Sequence, residues 1–347
     1  MKPKPNTTTM QDIADACDVS KMTVSLALRN DPRVKVSTRE QIQSKAAQLG
    51  YTTNPYVATL MKQLRKGAKR GSPPVIAFLN LHKKPSSYHT SGTFEEYFQG
   101  AKQRAEEIGF RLEEFQLHGK DMSIPRLEKI LYARNIHSIL ICPSDHSNTH
   151  LDFQWERYAM AKFGFSVSHP AANYVTSDHF QCMELALNNL AQRGYKKIGF
   201  ALKQSMDERV NHRWIGAFLS TKWRLGRANQ LKLCVPADWN KENFLQWFIK
   251  ERPEVVVSFY NDIPKWLNEA GFRIPEDVGY AIIDWTQDYT DLSGVDQQSW
   301  LIGQKAVDLV VERVHHNEWG IPEEAKCVLV EGKWHEGKTL LPIQQSH

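Results

Sequence analysis

The sequence predicts a small all-α N-terminal domain followed by a larger α/β body that divides into two parallel-sheet lobes. The chain has 347 residues, which at about 150 residues per domain predicts two to three domains. Residues 1–71 hold 13 lysines and arginines against 5 acidic residues, a net charge of +8, whereas residues 72–347 hold 31 against 34, a net charge of −3. From Val75 onward, short apolar runs alternate with helical patterns, which is typical of βαβ units.

The composition excludes several classes of protein. Apolar residues make up 41% and charged residues 24%, which is ordinary for a globular chain. No apolar run approaches the ~18 residues of a membrane span, and the polar segment Met1–Met10 is unlike a secretory signal, so we expect a cytoplasmic protein without a membrane partner. The five cysteines form no CxxC pair, so we expect reduced thiols and neither a metal site nor a cofactor.

Three short helical patterns follow one another in the basic N-terminal domain. The first runs from Met10 to Cys17 with Thr9 as its cap, and the second begins after Ser20, an N-cap. The third is expected to begin at Ser37, because Ser37 and Glu40 have the spacing of a capping box. The short link between the first two helices is typical of a helix-turn-helix.

The outer side of the second helix has an unusual composition for a solvated surface. Helical spacing places Val24, Ala27 and Leu28 on the inner side. The outer side combines two apolar residues with two cations: Lys21, Met22, Ser25, Leu26 and Arg29. In a major groove, apolar side chains can contact thymine methyls and lysine can contact guanine or phosphate. The pattern by itself favours DNA binding and a helical bundle with incidental basicity about equally.

Three segments of this domain resemble the headpiece of the lactose-repressor (LacI/GalR) family: residues 10–30, Val36–Glu40 and Leu49–Pro55. The resemblance implies a transcription regulator that binds double-stranded DNA as a dimer. The DNA-binding residues it implies are Thr9, Ser20, Lys21, Met22, Thr23, Ser25, Leu26, Arg29 and Asn30. Many family members carry arginine at the position of Leu26, so we expect weaker or thymine-directed specificity at the base it faces.

The segment between the two domains resembles the hinge helix of the same family. Pro55 is placed to begin a helix, and Leu60 matches the leucine that wedges between base steps in the minor groove. We therefore place the headpiece with its hinge at residues 1–60, a basic linker at 61–74 and the effector-binding and dimerisation core at 75–347. The linker has five cations and no acidic residue, and it is either a solvated tether or a source of phosphate contacts.

The body resembles the periplasmic-binding-protein-like core of this family, with a ligand cleft between two lobes. The predicted strands are Val75–Leu79, Ser138–Cys142, Ile198–Leu202, Val255–Phe259 and Val278–Ile283. The predicted helices are Phe94–Ile108, Arg126–Ala133, Gln181–Arg193, Asn211–Trp223 and Trp300–His315. Ligands in such sheets bind beyond the carboxyl ends of the strands.

The resemblance also implies which side chains line the effector cleft. The matching positions are Arg213, Asn261, Asp284 and Gln297, with Asp178 near the cleft. Arg213 and Asp284 can hold adjacent hydroxyls or a carboxylate, although a buried ion pair between the lobes is the structural alternative. Trp285 beside Asp284 could support a sugar ring, but tryptophans are more often part of a core.

The sequence therefore predicts a homodimeric regulator that binds a near-palindromic operator and is controlled by a small molecule, with a sugar as the expected effector. The chain contains no GxSxG, P-loop, GxGxxG or HExxH motif, so we expect no catalytic residues. A nucleobase-type co-repressor is the alternative within the same class. A sugar-binding or enzymatic body with an incidental basic domain is the alternative outside it.

Overall fold

The computed structural model describes residues 10–28, 33–49, 51, 73–82, 92–117, 122–224, 231–316 and 318–343. The chain divides into two compact units, Met1–Ser72 and Pro73–His347, called the headpiece and the body below. Several predicted features lie outside the described residues: Thr9, Arg29, Asn30, the hinge with Leu60, and linker residues 61–72.

The headpiece contains three helices in its described part: α1 (Met10–Cys17), α2 (Lys21–Ala27) and α3 (Val36–Gln48). These helices enclose a small core of buried apolar side chains: Ile13, Ala14, Val24, Ala27, Val34, Ile42 and Ala46. The three predicted helices are confirmed. A core this small leaves the headpiece dependent on each of its buried residues.

The prediction of a capping box at Ser37 is wrong, because α3 begins one residue earlier. Lys35 occupies the N-cap position and makes no side-chain cap hydrogen bond. The first turn closes with the Arg39 amide donating to the Lys35 carbonyl at 3.0 Å, while Arg39 Nη2 donates to the Val34 carbonyl at 3.1 Å. Ser37 therefore lies in the first turn of α3 and not at its cap.

The first lobe of the body contains a six-stranded parallel sheet. The strands are β1 (Val75–Asn80), β2 (Arg111–Gln116), β3 (Ser138–Ile141), β5 (Ala159–Phe163), β7 (Asn173–Ser177) and β13 (Cys327–Val330). Their order in the sheet is β13-β7-β5-β3-β1-β2. The helices α4 (Gly92–Glu107), α5 (Ile124–Ala133) and α11 (Ser299–His316) belong to it. A short pair, β4 (Thr149–His150) and β6 (Val167–His169), stands beside the sheet.

The second lobe repeats this architecture. The strands are β8 (Ile198–Ala201), β9 (Leu231–Cys234), β10 (Val255–Ser258), β11 (Gly279–Trp285), β12 (Ser293–Asp296) and β14 (Lys333–His335). Their order in the sheet is β14-β12-β11-β10-β8-β9, and among these described strands only the β12–β14 pair is antiparallel. The helices are α6 (His179–Gln192), α7 (Gln204–Glu208), α8 (Arg213–Arg224), α9 (Lys241–Glu251) and α10 (Ile263–Glu269).

The chain passes between the lobes three times. It enters the second lobe after β7, returns after β12, and crosses again between β13 and β14. Helix α11 follows a strand of the second lobe, yet its buried residues Ile302, Val307 and Val310 belong to the core of the first lobe. These crossings confirm the predicted two-lobed α/β body. Among the described residues, no helix is both long enough and apolar enough to span a bilayer.

Candidate functional site

The headpiece holds α1 and α2 in a fixed helix-turn-helix arrangement. Asp18 in the turn adopts a left-handed backbone with φ of 52°, and the Val19 amide donates to the Ala14 carbonyl at 3.0 Å. Ser20 Oγ accepts the Thr23 amide at 3.1 Å, which confirms Ser20 as the predicted N-cap. Because the cap satisfies an otherwise free amide, it fixes where the second helix starts.

The exposed surface of α2 is narrower than the sequence predicts. Lys21 is exposed and the Met22 side chain is 70% exposed, while Thr23 and Ser25 are half-buried. The expectation that Leu26 is exposed is wrong, since Leu26 is half-buried and packs against the headpiece core. The headpiece is so small that side chains from more than one side of the seven-residue helix α2 pack against its core. Met22 is therefore the apolar side chain that α2 presents outward.

Replacing Ser20 by alanine is expected to destabilise α2 by about 1 kcal/mol, because the Thr23 amide loses its acceptor. Hydrogen exchange of the α2 amides in the full chain measures this loss directly. Ser44→Ala on the exposed side of α3 is the matched control, since alanine favours a helix interior. Equal protection of α2 in the two variants would contradict the role of the cap.

In the body, Asp284 at the end of β11 links the two lobes. Asp284 Oδ2 accepts a hydrogen bond from Thr93 Oγ1 of α4 in the first lobe at 2.5 Å. Asp284 Oδ1 accepts from Gln297 Nε2 at 3.0 Å, and the same nitrogen donates to the Ile283 carbonyl at 3.0 Å. The structure therefore brings two of the predicted site residues together at the carboxyl ends of β11 and β12.

The surroundings of Asp284 are acidic. Loss of solvation raises the pKa of Asp284 to about 6, with the Thr93 hydrogen bond opposing the shift and the charge of Asp296 adding to it. Burial raises the pKa of Glu96 to about 7, and Asp296, Asp284 and Asp288 add to that rise. This wall of the cleft consequently favours neutral hydrogen-bond donors over anions.

Arg209, a half-buried cation that the sequence analysis did not select, lies close enough to Asp145, Tyr97 and Tyr260 for their charges to affect it. Burial lowers the pKa of Arg209, while the charges of Asp145 and Tyr97 act in the opposite direction. Within the described part of the chain, Arg209 Nε has no hydrogen-bond partner. Burial is the main cause of a raised Tyr97 pKa. The charge of Asp284 raises this pKa further and the charge of Arg209 lowers it, so Tyr97 lies close enough to both groups to be affected by their charges. Arg209 lies four residues before the predicted site residue Arg213, and that proximity was the available signal.

Residues of both lobes lie around Arg209. His82 follows β1, and its Nδ1 lies 2.8 Å from Asp145 Oδ1. Burial is the main cause of a lowered His82 pKa, which the charge of Asp145 opposes. Tyr260 follows β10 in the second lobe, and its hydroxyl accepts the Lys203 amide at 3.3 Å. Residues that follow strands in both sheets thus converge around Arg209.

Three predicted site residues, Arg213, Asn261 and Asp178, make no hydrogen bond to the Asp284–Gln297 pair among the residues that the structure describes. The guanidinium of Arg213 stacks over the Phe165 ring at 4.5 Å from its centroid. Asn261 is exposed in the turn after β10. Asp178 caps α6 by accepting the Gln181 amide at 3.1 Å.

Trp285 is part of the core of the second lobe. Its side chain is 6% exposed and stacks on His335 with ring centroids 3.9 Å apart. Its Nε1 donates to the Tyr289 carbonyl at 3.0 Å. A buried tryptophan of this kind fits a role in the core better than a role as a surface on which a sugar ring stacks.

The geometry suits binding of a small polar molecule. One wall offers carboxylate and amide groups, and the other offers the donor fork of Arg209. Among the described residues, no cluster of three or more histidine, cysteine, aspartate or glutamate side chains could hold a metal ion.

A helix-turn-helix unit joined to a two-sheet body with a polar cleft defines a DNA-binding protein with a ligand-binding core. Comparison with known proteins supports both halves. Residues 9–54 match the model for bacterial regulatory proteins of the lacI family, and residues 187–340 match a periplasmic binding protein-like domain. The chain belongs to the lacI family, and it is a transcriptional regulator.

Individual relatives cover nearly the whole chain. The NTD biosynthesis operon regulator NtdR of Bacillus subtilis is 23% identical over 89% of this chain and 93% of its own length. A Lac repressor dimer bound to operator and the anti-inducer ONPF matches with a TM-score of 0.57 and 16% identity over 97% of this chain and all of the other. The regulator CelR in complex with cellobiose matches with a TM-score of 0.58 and 16% identity, over 96% and 99% of the two chains.

Proposed function

We propose that this protein represses transcription as a homodimer on a near-palindromic operator, and that a sugar bound between the lobes controls it. The similar Lac repressor is a dimer on its operator, and the similar CelR is in complex with cellobiose. A twofold dimer requires matched half-sites, which supports the near-palindromic operator. We assign the body a binding role rather than a catalytic one.

The hydrogen bond between Thr93 and Asp284 is the observation that supports a sugar effector most strongly. In this contact a neutral hydroxyl donates to a carboxylate across the lobe boundary. A sugar hydroxyl has the same chemistry and can replace Thr93 as the donor. The acidic surroundings of Asp284 disfavour an anion at this wall, while Arg209 can donate to ring or hydroxyl oxygens on the other side.

If a sugar hydroxyl replaces Thr93 as the donor to Asp284, the hydrogen bond between the two lobes is lost. That loss would change the relative free energies of the different arrangements of the lobes. The effector can shift that balance only by as much as it binds one arrangement better than the other. A coupling of ~1–3 kcal/mol corresponds to roughly 5–150-fold control of operator affinity. We therefore place the switch at this link between α4 and β11.

For the headpiece, we propose that the outward surface of α2 enters the major groove. Exposed Lys21 and Met22 are its main base or phosphate contacts, and Ser25 is at its border. The roles of Thr9, Arg29, Asn30 and Leu60 remain those implied by the family resemblance.

Isothermal titration of the full chain against a panel of neutral sugars and nucleobases tests the effector. We expect a sugar to bind, and Asp284→Asn to weaken that binding at least tenfold because the acceptor loses its charge. Thr93→Val should bind the sugar more tightly, since no internal hydrogen bond has to break. Asp291→Asn is the control, because Asp291 is exposed and pairs with Lys338. Binding of a nucleobase instead, with the same pattern among variants, would refute the sugar assignment.

Stability is expected to fall as pH rises from about 4 to 6, because Asp284 holds its proton more tightly in the folded state, where its pKa is about 6, than in the unfolded chain. The contribution is fully present below the unfolded pKa and is lost through the folded pKa. Asp284→Asn should reduce this decline by on the order of 2 kcal/mol. Glu96, with its pKa raised to about 7, keeps part of the decline in place. Urea unfolding at several pH values measures both effects, and an identical pH profile in the variant would contradict this account.

A further inference from the structure

A cavity of about 220 Å³ lies beside β5, and none of its lining residues contacts Asp284. Its walls come from β5, β6, β7 and adjoining loops of the first lobe, and from the turn that precedes α8 in the second lobe. The residues that line it are Asn148, Lys162, Gly164, Phe165, Val167, Ser168, Tyr174 and Asn211. No aspartate or glutamate is among these described lining residues.

Lys162 is the central charged group of this cavity. Its side chain is only 7% exposed, and its Nζ donates to the carbonyls of Val167 at 2.5 Å and Pro170 at 3.3 Å. In the described part of the chain, no carboxylate forms an ion pair with it. Burial lowers the pKa of Lys162, and no neighbouring acid opposes that shift. An ammonium without a counter-charge is costly to bury, so an anion at this position would relieve the cost.

Arg213 adds a second positive charge next to the cavity. Its guanidinium stacks over Phe165, which is itself a lining residue. The Arg213 Nε is buried and has no hydrogen-bond partner among the described residues. Planar guanidinium donors suit oxyanions, because they can make two parallel hydrogen bonds.

The turn that carries Asn211 is held in place by Asp207. The carboxylate of Asp207 accepts from His212 Nδ1 at 2.9 Å and from the Ile215 amide at 3.1 Å. Asn211 and His212 both adopt left-handed backbone conformations, with φ of 53° and 57°. Asn211 is therefore fixed as a wall residue of the cavity, and its exposed side chain can be changed without opening a core.

This cavity does not share its lining with the Asp284 contact. The rings of Phe163 and Tyr97 stack in the core of the first lobe, with centroids 5.0 Å apart. The preceding residue on the same strand, Lys162, points to the opposite face. None of the side chains that contact Asp284 lines the cavity.

We propose that this cavity is an oxyanion site that takes phosphate, either as the free ion or as the phosphoryl group of a small molecule. Lys162 and Arg213 supply the charge, and the hydroxyls of Ser168 and Tyr174 with the amides of Asn148 and Asn211 supply further hydrogen bonds. Such charge-assisted hydrogen bonds are the strong ones in anion recognition. The lobe boundary runs through the site, since Asn211 belongs to the second lobe and Lys162 to the first.

Titration of the full chain with inorganic phosphate and with glucose 6-phosphate, in chloride buffer at constant ionic strength, tests this site. We expect saturable phosphate binding that Asn211→Asp weakens at least tenfold, because a carboxylate then faces Lys162. Aspartate tolerates the left-handed backbone at this position, so the variant is expected to fold. Asn268→Asp on the exposed end of α10 is the control and should bind as the unaltered chain does.

Competition between the two probes separates the sources of the phosphate group. Tighter binding of glucose 6-phosphate supports a phosphorylated small molecule, and binding of inorganic phosphate alone supports the free ion. Absence of saturable binding of either probe, or equal affinity in Asn211→Asp and Asn268→Asp, would overturn the proposal. Asp284→Asn should leave phosphate binding unchanged, so failure of this site and failure of the sugar site are distinguishable.

Discussion

Gly100→Ala is expected to lower the free energy of unfolding of the body by about 3 kcal/mol or more. Gly100 on α4 lies against the backbone of α11, and a Cβ at this position would stand 2.1 Å from the Trp300 carbonyl oxygen. Gly303 on α11 faces α4 in the same way, with the Tyr97 carbonyl oxygen 2.3 Å from its Cβ position. Both obstacles are backbone atoms, so the helices would have to separate.

Urea unfolding followed by tryptophan fluorescence measures this effect, and Gly216→Ala is its control. Gly216 lies in α8, where a Cβ would meet nothing within 4 Å. Alanine there should stabilise the body by roughly 0.5–1 kcal/mol, because glycine is costly inside a helix. Similar stabilities of the two variants would show that the close contact of α4 and α11 does not determine the packing of the first lobe.

Ile42→Ala is expected to abolish sequence-specific DNA binding while the unfolding transition of the body stays unchanged. Ile42 is fully buried in the headpiece core, and such truncations cost about 2–5 kcal/mol. Only seven buried apolar residues form that core in the described headpiece, so the loss is comparable to the stability of the unit. The headpiece forms a unit separate from the body in the division of the chain.

Fluorescence anisotropy with a duplex selected from a random pool gives the readout for this substitution. Gln41→Ala, at the exposed neighbouring position, should bind as the unaltered chain does. Retention of specific binding by Ile42→Ala would show that the three-helix core does not support the recognition surface.

Short-range signals predicted the parts of the fold whose determinants are local. Ser20 was identified as a cap from its sequence position, and the buried apolar runs gave the central strands β1, β3, β8, β10 and β11. Strand β2 was missed because it is an edge strand with charged residues on its open side, and its sequence Arg-Leu-Glu-Glu-Phe-Gln contains little apolar pattern. Strand β13 is also at a sheet edge, with Cys327 and Leu329 exposed.

The family resemblance selected Asp284 and Gln297, which the structure brings into contact. It could not distinguish Arg209 from Arg213, because both lie in one short segment. Two consecutive left-handed residues, Asn211 and His212, separate them and direct the arginines to different places. Helical spacing predicted a helix through this turn, whereas α8 begins only at Arg213. The position of a side chain beyond such a turn depends on hydrogen bonds that helical spacing does not predict, such as those that Asp207 accepts from His212 and Ile215.

The affinity of the full chain for its selected operator, with and without a saturating sugar that binds at Asp284, tests most directly whether the body governs the headpiece. Salt concentration has to be held constant, since phosphate contacts make DNA affinity strongly dependent on it. We predict a change of roughly 5–150-fold in the unaltered chain, and a smaller change in Asp284→Asn at the same sugar concentration because the variant binds the sugar more weakly. An operator affinity that stays the same while the sugar saturates the cleft would contradict control of DNA binding by the body.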